Sequence, residues 1–374
     1  VILWDVESIL RPKEKNADAS PLPVFSVLGE HAHFLNDVHY FGNDSVVSSS
    51  ADMTVKLLRI PTQSLQLFKE ETEGPQNHHT ELVCGMDYDP QHKWIATGSW
   101  DKHAKLLNSS DATQIVHWKD HTKRVNDIRF APGSYEFVVT ASMDHTLKLW
   151  DLATFENKKT FVGHTGNVMA VVVSHDDRYI ASGSADKTIK FWDAATGNCI
   201  DTIVAHSSWV DTLRFSKGSR MLASASVDGE AKVWNTNNGV LLAHLKKHSA
   251  PILDVKWTRN DAYLVTVGED WLIRVWKTGT WECVRVLEGH KHEVTAACLL
   301  DENSKMMEMF GCEHLLVTSS ADQTIRFWDY LSGDQLWIYC GEHAYSYLIF
   351  IENSTFAAGD SRGGVHLLSI SKPK

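Results

Sequence analysis

Apolar residues alternate with polar ones in short runs along the chain, and polar or bending residues cut the runs apart. Val125-Asn126-Asp127-Ile128-Arg129-Phe130 is one run, Phe137-Val138-Val139-Thr140 the next, and Leu147-Lys148-Leu149-Trp150 a third. Pro132-Gly133 and Met143-Asp144-His145 separate them, and a more variable run follows from Lys158 to Val162. A period of two places alternate side chains on opposite faces, so each run predicts a strand of a half-buried sheet. Four short strands make a unit, with Gly, Pro and Asp marking the turns.

The unit is repeated. SGSADKTIKFWD (Ser182 to Asp193) is preceded by ASMDHTLKLWD (Ala141 to Asp151). It is followed by ASVDGEAKVWN (Ala225 to Asn235), VGEDWLIRVWK (Val267 to Lys277) and SSADQTIRFWD (Ser319 to Asp329). Looser copies are SSADMTVKLLR (Ser49 to Arg59) and GSWDKHAKLLN (Gly98 to Asn108), and a degenerate one is AGDSRGGVHLL (Ala358 to Leu368). The turn residues Asp144, Asp186, Asp228 and Asp270 recur every 42 residues. A four-stranded antiparallel unit cannot bury both of its faces alone; stacking units radially buries them, which predicts an all-β propeller. Units of this length, with Gly-His near the start and Trp-Asp at the end, resemble the WD-repeat β-propellers, and the resemblance runs from about Val24 to Ile370.

The two ends bear on how the ring closes. Val1 to Asp5 reads as the tail of a repeat and Val6 to Pro23 as a polar linker, so residues 1–23 are set apart from a single propeller over 24–374. The last unit stops at its third strand, and Val24 to Leu28 reads as the outer strand that fills the vacancy and removes a free sheet edge. Counting turn aspartates, with Asp360 as the last, gives eight blades; seven is the count if the degenerate last unit packs outside the ring. An insertion, Asp301 to Glu313, carries Met306, Met307, Met309 and Phe310, which pack on their own blade or meet a partner.

Composition narrows the class of function. The net charge is −11, from 36 basic and 47 acidic residues, without a Lys/Arg block, which weighs against a nucleic-acid partner. No apolar run is long enough to cross a bilayer, so no membrane role is expected. The cysteines, Cys84, Cys199, Cys283, Cys298, Cys312 and Cys340, show neither CxxC nor regular spacing and read as buried, reduced thiols of a cytoplasmic protein. No metal-ligand spacing or phosphate loop is found, and no cofactor is expected.

The resemblance assigns the repeated polar residues to a buried hydrogen-bonded network of His, Ser or Thr, Asp and Trp. The third unit supplies His121, Thr140, Asp144 and Trp150, and the fourth His164, Ser182, Asp186 and Trp192. The fifth has His206, Ser224, Asp228 and Trp234, the sixth His248, Thr266, Asp270 and Trp276, and the seventh His290, Thr318, Asp322 and Trp328. A Ser-His-Asp set also suggests nucleophilic catalysis, but a set recurring in unit after unit is scaffold, whereas an active site occurs once. The first two units keep His31, Ser48, Asp52 and His79, Thr97, Asp101, with Leu58 and Leu107 in place of Trp. The last unit keeps His343 and Asp360, with Phe356 in the hydroxyl position and His366 in the Trp register, and is expected to be the weakest.

With the scaffold assigned, the non-repeated residues carry function. In this family the face bearing the His-side loops and Asp turns is commonly a recognition surface. Large or charged side chains fall there at Phe34, Trp100, Arg124, Met143, Trp209, Glu269 and Trp271. Trp and Arg supply area and directed donors at interfaces, although exposed tryptophans also pack over neighbouring loops. Trp100, Arg124 and Met143 come from consecutive units and are expected on one arc. The expected function is a non-enzymatic platform, monomeric in isolation, that binds a protein or peptide, or other domains of the same chain. The closing stretch AAGDSRGGVHLLSI (Ala357 to Ile370) further resembles the propeller tails of NACHT-type or apoptosome-type signalling ATPases, which implies a sensor role. The alternative is a propeller that binds a small molecule or glycan.

Overall fold

The computed structural model describes residues 22–30, 32–33, 35–41, 45–59, 79–108, 113–300, 310–350, 355–361 and 364–371. They form seven four-stranded antiparallel sheets and one three-stranded sheet, the latter made of Leu35–Phe41, Ser45–Ser50 and Val55–Arg59. The fourth unit is representative, with Val168–Val173, Tyr179–Ser184, Thr188–Asp193 and Cys199–Val204 paired in sequence order. The first strand of each sheet packs against the first strands of both neighbours, including Leu35–Phe41 against Tyr345–Phe350, so the sheets close into one propeller.

The strand period decides where the core lies. Ile180 and Trp192 face the preceding sheet, where they meet Val139, Leu147 and Phe161. Their neighbours Ala181 and Phe191 face the following sheet, where they meet Val210, Leu213 and Trp234. The core is therefore a series of layers between sheets, each layer filled by half the residues of two strands sets. Each fully buried aliphatic or aromatic side chain contributes about 1.5–3 kcal/mol.

Two local devices recur. After each turn Asp one residue takes a left-handed backbone: Met53, Lys102, His145, Lys187, Trp271 and Gln323 at φ 68–73°, and Gly229 at φ 77°. Six of these seven are not glycine, so the turn is held against its backbone preference by side-chain bonds from the Asp. The first strand of each unit also carries a bulge, for example at Met169 between the pairs Val168↔Ser184 and Ala170↔Gly183. The bulged strand brings its polar side chains to the next sheet. Asp127 accepts from Val171 N at 3.0 Å, Asp37 from Met86 N at 3.2 Å and Asp254 from Ala297 N at 3.4 Å.

The chain ends meet in the last sheet. Leu22–Glu30 pairs antiparallel with Gly364–Ser371, from Leu22↔Ser371 to Glu30↔Gly364, and supplies the outer strand of Tyr345–Phe350, Thr355–Asp360 and Gly364–Ser371. The last unit thus stands within the ring, against the first. The sheet that departs from four strands among the described residues is the first unit's. Residues 1–21, including Val1 to Asp5, lie outside the described residues.

The last unit also corrects the sequence register by two residues. Tyr345 pairs with Asp360 as Val168 pairs with Ser184, and Leu348 pairs with Ala358 as Val171 pairs with Ser182. Ser361 N donates to Ala344 O at 2.7 Å, the bond that Ala185 N makes to Asn167 O. Asp360 is therefore not a turn aspartate; by register the turn residue is 362, outside the described residues. Seven turn aspartates remain: Asp52, Asp101, Asp144, Asp186, Asp228, Asp270 and Asp322. Ala358 stands where Ser182 does, and Leu368, opposite Phe356, stands where Trp192 does, not His366. Gly341, not His343, precedes Tyr345 by four residues as His164 precedes Val168, and a Cβ on Gly341 would strike the Tyr345 hydroxyl. This unit has replaced polar relay with apolar packing: Phe356 is fully buried and meets Phe327 edge-on at 5.5 Å.

In the insertion, Phe310 stacks on Phe327 at 5.5 Å, on its own blade, while Asp301 to Met309 lie outside the described residues. All six cysteines are free, but only Cys312 is buried, and Cys199 and Cys340 are exposed, because their outer strands have one open face. Among the described residues no helix is long and apolar enough to cross a membrane.

Candidate functional site

The repeated polar residues form a directed relay. Trp192 Nε1 donates to Ser182 Oγ at 2.8 Å, Ser182 Oγ lies 2.8 Å from His164 Nε2, and His164 Nδ1 lies 2.8 Å from Asp186 Oδ2. An indole N–H only donates, so the hydroxyl accepts from it and donates its own O–H to Nε2, which leaves Nδ1–H to donate to the carboxylate. Trp150, Trp234, Trp276 and Trp328 donate likewise to Thr140, Ser224, Thr266 and Thr318 at 2.9–3.0 Å. Those hydroxyls reach His121, His206, His248 and His290 at 2.7–2.9 Å. The four imidazoles reach Asp144, Asp228, Asp270 and Asp322 at 2.7–3.1 Å.

The carboxylate then caps two backbones. Asp186 accepts from Thr165 N and Thr188 N at 2.9 Å each and from Thr188 Oγ1 at 2.6 Å, which ties the turn to the His-side loop. Burial would raise the Asp186 carboxyl, but the bonds from His164, Thr188 and Thr165 outweigh it and hold it well below the ordinary range. Burial lowers His79, His248 and His290, and takes His206 down to about 4, consistent with neutral imidazoles. The Ser182 hydroxyl is fully buried and spent within the blade, so the relay offers no nucleophile to a substrate. In the second unit the chain stops at Thr97, with His79 at 3.0 Å from it and 2.8 Å from Asp101, and buried Leu107 behind. In the first unit Asp52 accepts from Ala32 N at 2.8 Å; His31 and the side chain of Leu58 lie outside the described residues.

The relay ties the turns of this face to its His-side loops, and one stretch of it is a groove. Trp100 N donates to Leu82 O and Met143 N to Arg124 O, both at 2.8 Å. Ser99 Oγ and Ser142 Oγ donate to Glu81 O at 2.9 Å and Arg124 O at 2.8 Å. Between these walls the Arg124 guanidinium sits 3.9 Å from the Trp100 ring centroid, face-on. Trp100, Arg124 and Met143 line an open groove of about 370 Å³ together with Lys102, Lys123 and Asn167. The structure thus brings together three residues of the predicted arc and adds two lysines that sequence reasoning passed over. Their signal was the basic pair Lys123-Arg124 beside the His, and Lys102 directly after a turn Asp.

The other candidates lie apart from the groove. Trp209 and Trp271 are each 49% exposed, in the fifth and sixth units; Trp271 stacks on His292 at 6.3 Å, and Glu269 is half-buried beside it. Phe34 lies outside the described residues. A second groove of about 560 Å³ runs between the outer strands of the fifth and sixth units, past Lys246, Lys247, Trp281 and Cys283. Among the described residues His206, Asp228 and Glu230 have ligand atoms close enough to share a metal ion. Glu230, however, already faces His244 at 2.6 Å, Lys246 at 3.1 Å and Lys232 at 3.3 Å, so ammonium groups occupy the cation's place.

Comparison with known proteins agrees with this architecture. The family model described as the IFT122 first β-propeller matches residues 133–374, and the WD domain, G-beta repeat model matches residues 72–108 and 112–151. The closing stretch 357–370 falls inside the first match. Pre-mRNA-processing factor 19 homolog 2 of Arabidopsis thaliana is 27% identical over 161 residues, 42% of this chain and 30% of that protein. DNA damage-binding protein 2 of Gallus gallus is 25% identical over 43% of this chain and 30% of its own length. The E3 ubiquitin-protein ligase COP1 of Arabidopsis thaliana is 33% identical over 26% of this chain and 15% of its own length. The chain thus spans 30% or less of these relatives. The crystal structure of the computationally designed Ika8 protein superposes with a TM-score of 0.76 at 26% identity, covering 92% of this chain and 98% of that one. With the repeat, the closed ring of sheets and a match over more than half its length, the chain belongs to the WD-repeat β-propellers, in the family of the IFT122 first propeller.

Proposed function

We propose that this chain is a non-enzymatic interaction platform that holds a protein or peptide partner on its Asp-turn face, in the groove of Trp100, Arg124 and Met143. WD-repeat propellers in general serve as protein-interaction scaffolds, and that gives the class of function. The observation that carries the site is the Arg124 guanidinium stacked on Trp100 between hydrogen-bonded loops. A preordered aromatic–arginine pair loses little entropy on binding, which is what makes such pairs anchors. The repeated relay serves as scaffold, and the partner is a separate protein or another domain of the same parent. The groove opens widely to solvent, which suits an extended protein segment better than an enclosed small molecule or glycan.

The test is a quantitative pull-down from a cell extract with the chain and its Trp100→Ala/Arg124→Ala double variant. Proteins held by the first and lost by the second, with both melting at the same temperature, support the platform at this groove. Equal retention by both moves the binding surface elsewhere. A double variant that melts early would show that the pair is structural.

A further inference from the structure

We infer that the partner segment seated in the groove is acidic, a peptide stretch rich in Asp and Glu; this rests on the platform reading above and names its ligand class. The chain carries a net charge of −11, yet this arc of the face is locally basic. Lys102, Lys123 and Arg124 are exposed along the groove, and Lys187 is exposed in the next unit at the turn position that Lys102 holds in its own. Glu81 is the one carboxylate that lines the groove among the described residues. None of the four cations is in an ion pair among the described residues, whereas the nearby Arg129 is held by Asp127 at 3.2 Å.

Arg124 is the most informative of the four. Its guanidinium rests on the Trp100 ring by a face, and none of its N–H groups donates to a described residue. A guanidinium fixed by stacking keeps its in-plane fork free, and that fork matches the two oxygens of a carboxylate. The lysines on either side act as point charges that add attraction without demanding geometry. On the other side of the ring the same face carries Glu269 and Glu293 with one lysine, Lys291, beside the exposed Trp209 and Trp271, so it lacks the cluster of cations that favours an acidic segment at this arc. A nucleic acid, with a charge about every 1.7 Å of duplex, needs a basic track longer than this groove supplies.

The experiment is a selection of random linear peptides displayed on phage against the intact chain, followed by fluorescence anisotropy of the selected peptides. The expected result is enrichment of Asp- and Glu-rich peptides whose Asn/Gln counterparts bind at least about tenfold more weakly. Arg124→Glu, the milder Arg124→Gln and the Lys102→Glu/Lys123→Glu pair should each weaken binding about tenfold or more without lowering the melting temperature, and added salt should weaken it further. Neutral or basic peptides that are lost on Trp100→Ala/Arg124→Ala would keep the platform and overturn the acidic assignment. Acidic peptides indifferent to Arg124→Gln would overturn the site. Tighter binding of a phosphoserine peptide or a single-stranded oligonucleotide than of the Asp/Glu peptide would overturn the carboxylate. Failure to enrich any peptide would overturn the acidic segment and leave the platform to the pull-down above.

Discussion

Replacing Asp186 by Ala tests whether the relay holds a blade together. The carboxylate accepts four hydrogen bonds, from His164 Nδ1, Thr165 N, Thr188 N and Thr188 Oγ1, at 2.6–2.9 Å. Thr165 lies at the surface, so water replaces its bond at little cost. The His164 ring is fully buried, and its Nδ1–H loses its short bond where water does not reach, keeping only the Thr188 hydroxyl at 3.3 Å. Leaving a buried donor without its acceptor costs about 1–3 kcal/mol, and losing the bonds that hold the turn at Lys187 costs about 1 kcal/mol more, so we expect about 3 kcal/mol. For 374 residues the unfolding entropy is about 0.8 kcal/mol/K, so Tm should fall by about 4 °C. Thermal unfolding followed by circular dichroism reads this, with Asp186→Asn, which keeps one acceptor oxygen, expected to lie between the two. A Tm equal to that of the parent chain would refute the reasoning, because it would mean that His164 finds another acceptor or that the relay adds nothing to stability.

The remaining predictions concern other polar positions. Asp211 occupies the bulge position of the fifth unit, its Oδ1 is buried without a partner, and burial raises its carboxyl. Asn36 and Asn126, at the same position, donate to the next sheet at Val83 O and Val168 O. Asp211→Asn should therefore stabilise by about 1 kcal/mol in urea unfolding, and a loss of stability would count against the register argument. Stability should also decline from about pH 6.5 downward. A buried His whose folded value is lowered leaves the unfolded chain to take the proton first, so its contribution is present above the unfolded value and lost toward the folded one. For His206, lowered to about 4, the loss is about 3 kcal/mol. The depressed turn aspartates lose their contribution only below about pH 4, so unfolding free energies that stay flat from about pH 7 to about pH 4.5 would refute the buried neutral imidazoles. Gly341→Ala should cost about 1–3 kcal/mol by overpacking against buried Tyr345, and an unchanged urea midpoint would show that Tyr345 moves aside.

The sequence by itself determined the propeller. Strand alternation and a fixed spacing are local properties, and four strands with two apolar faces have no way to bury both except against copies of themselves. The 42-residue spacing of Asp144, Asp186, Asp228 and Asp270 also mapped sequence order onto ring order, so Trp100, Arg124 and Met143 were legible as neighbours. The tertiary structure decided what depends on pairing between distant segments. Asp360 has the spacing of a turn residue, but antiparallel pairing of Tyr345 with Asp360, and of Gly364–Ser371 with Leu22–Glu30, moves the last unit by two residues and puts Gly341, Ala358 and Leu368 where the relay would be. A repeat that has lost its polar signature has nothing left in the sequence to fix its register, and only the strands beside it do so. The groove's charge followed the same rule: Lys102 and Lys123 are ordinary surface lysines in the sequence, and their meaning comes from standing on two adjacent loops around an arginine that has no ion-pair partner among the described residues. Spacing along a chain fixes which units repeat, and the distances between units, which no local pattern encodes, fix what they do together.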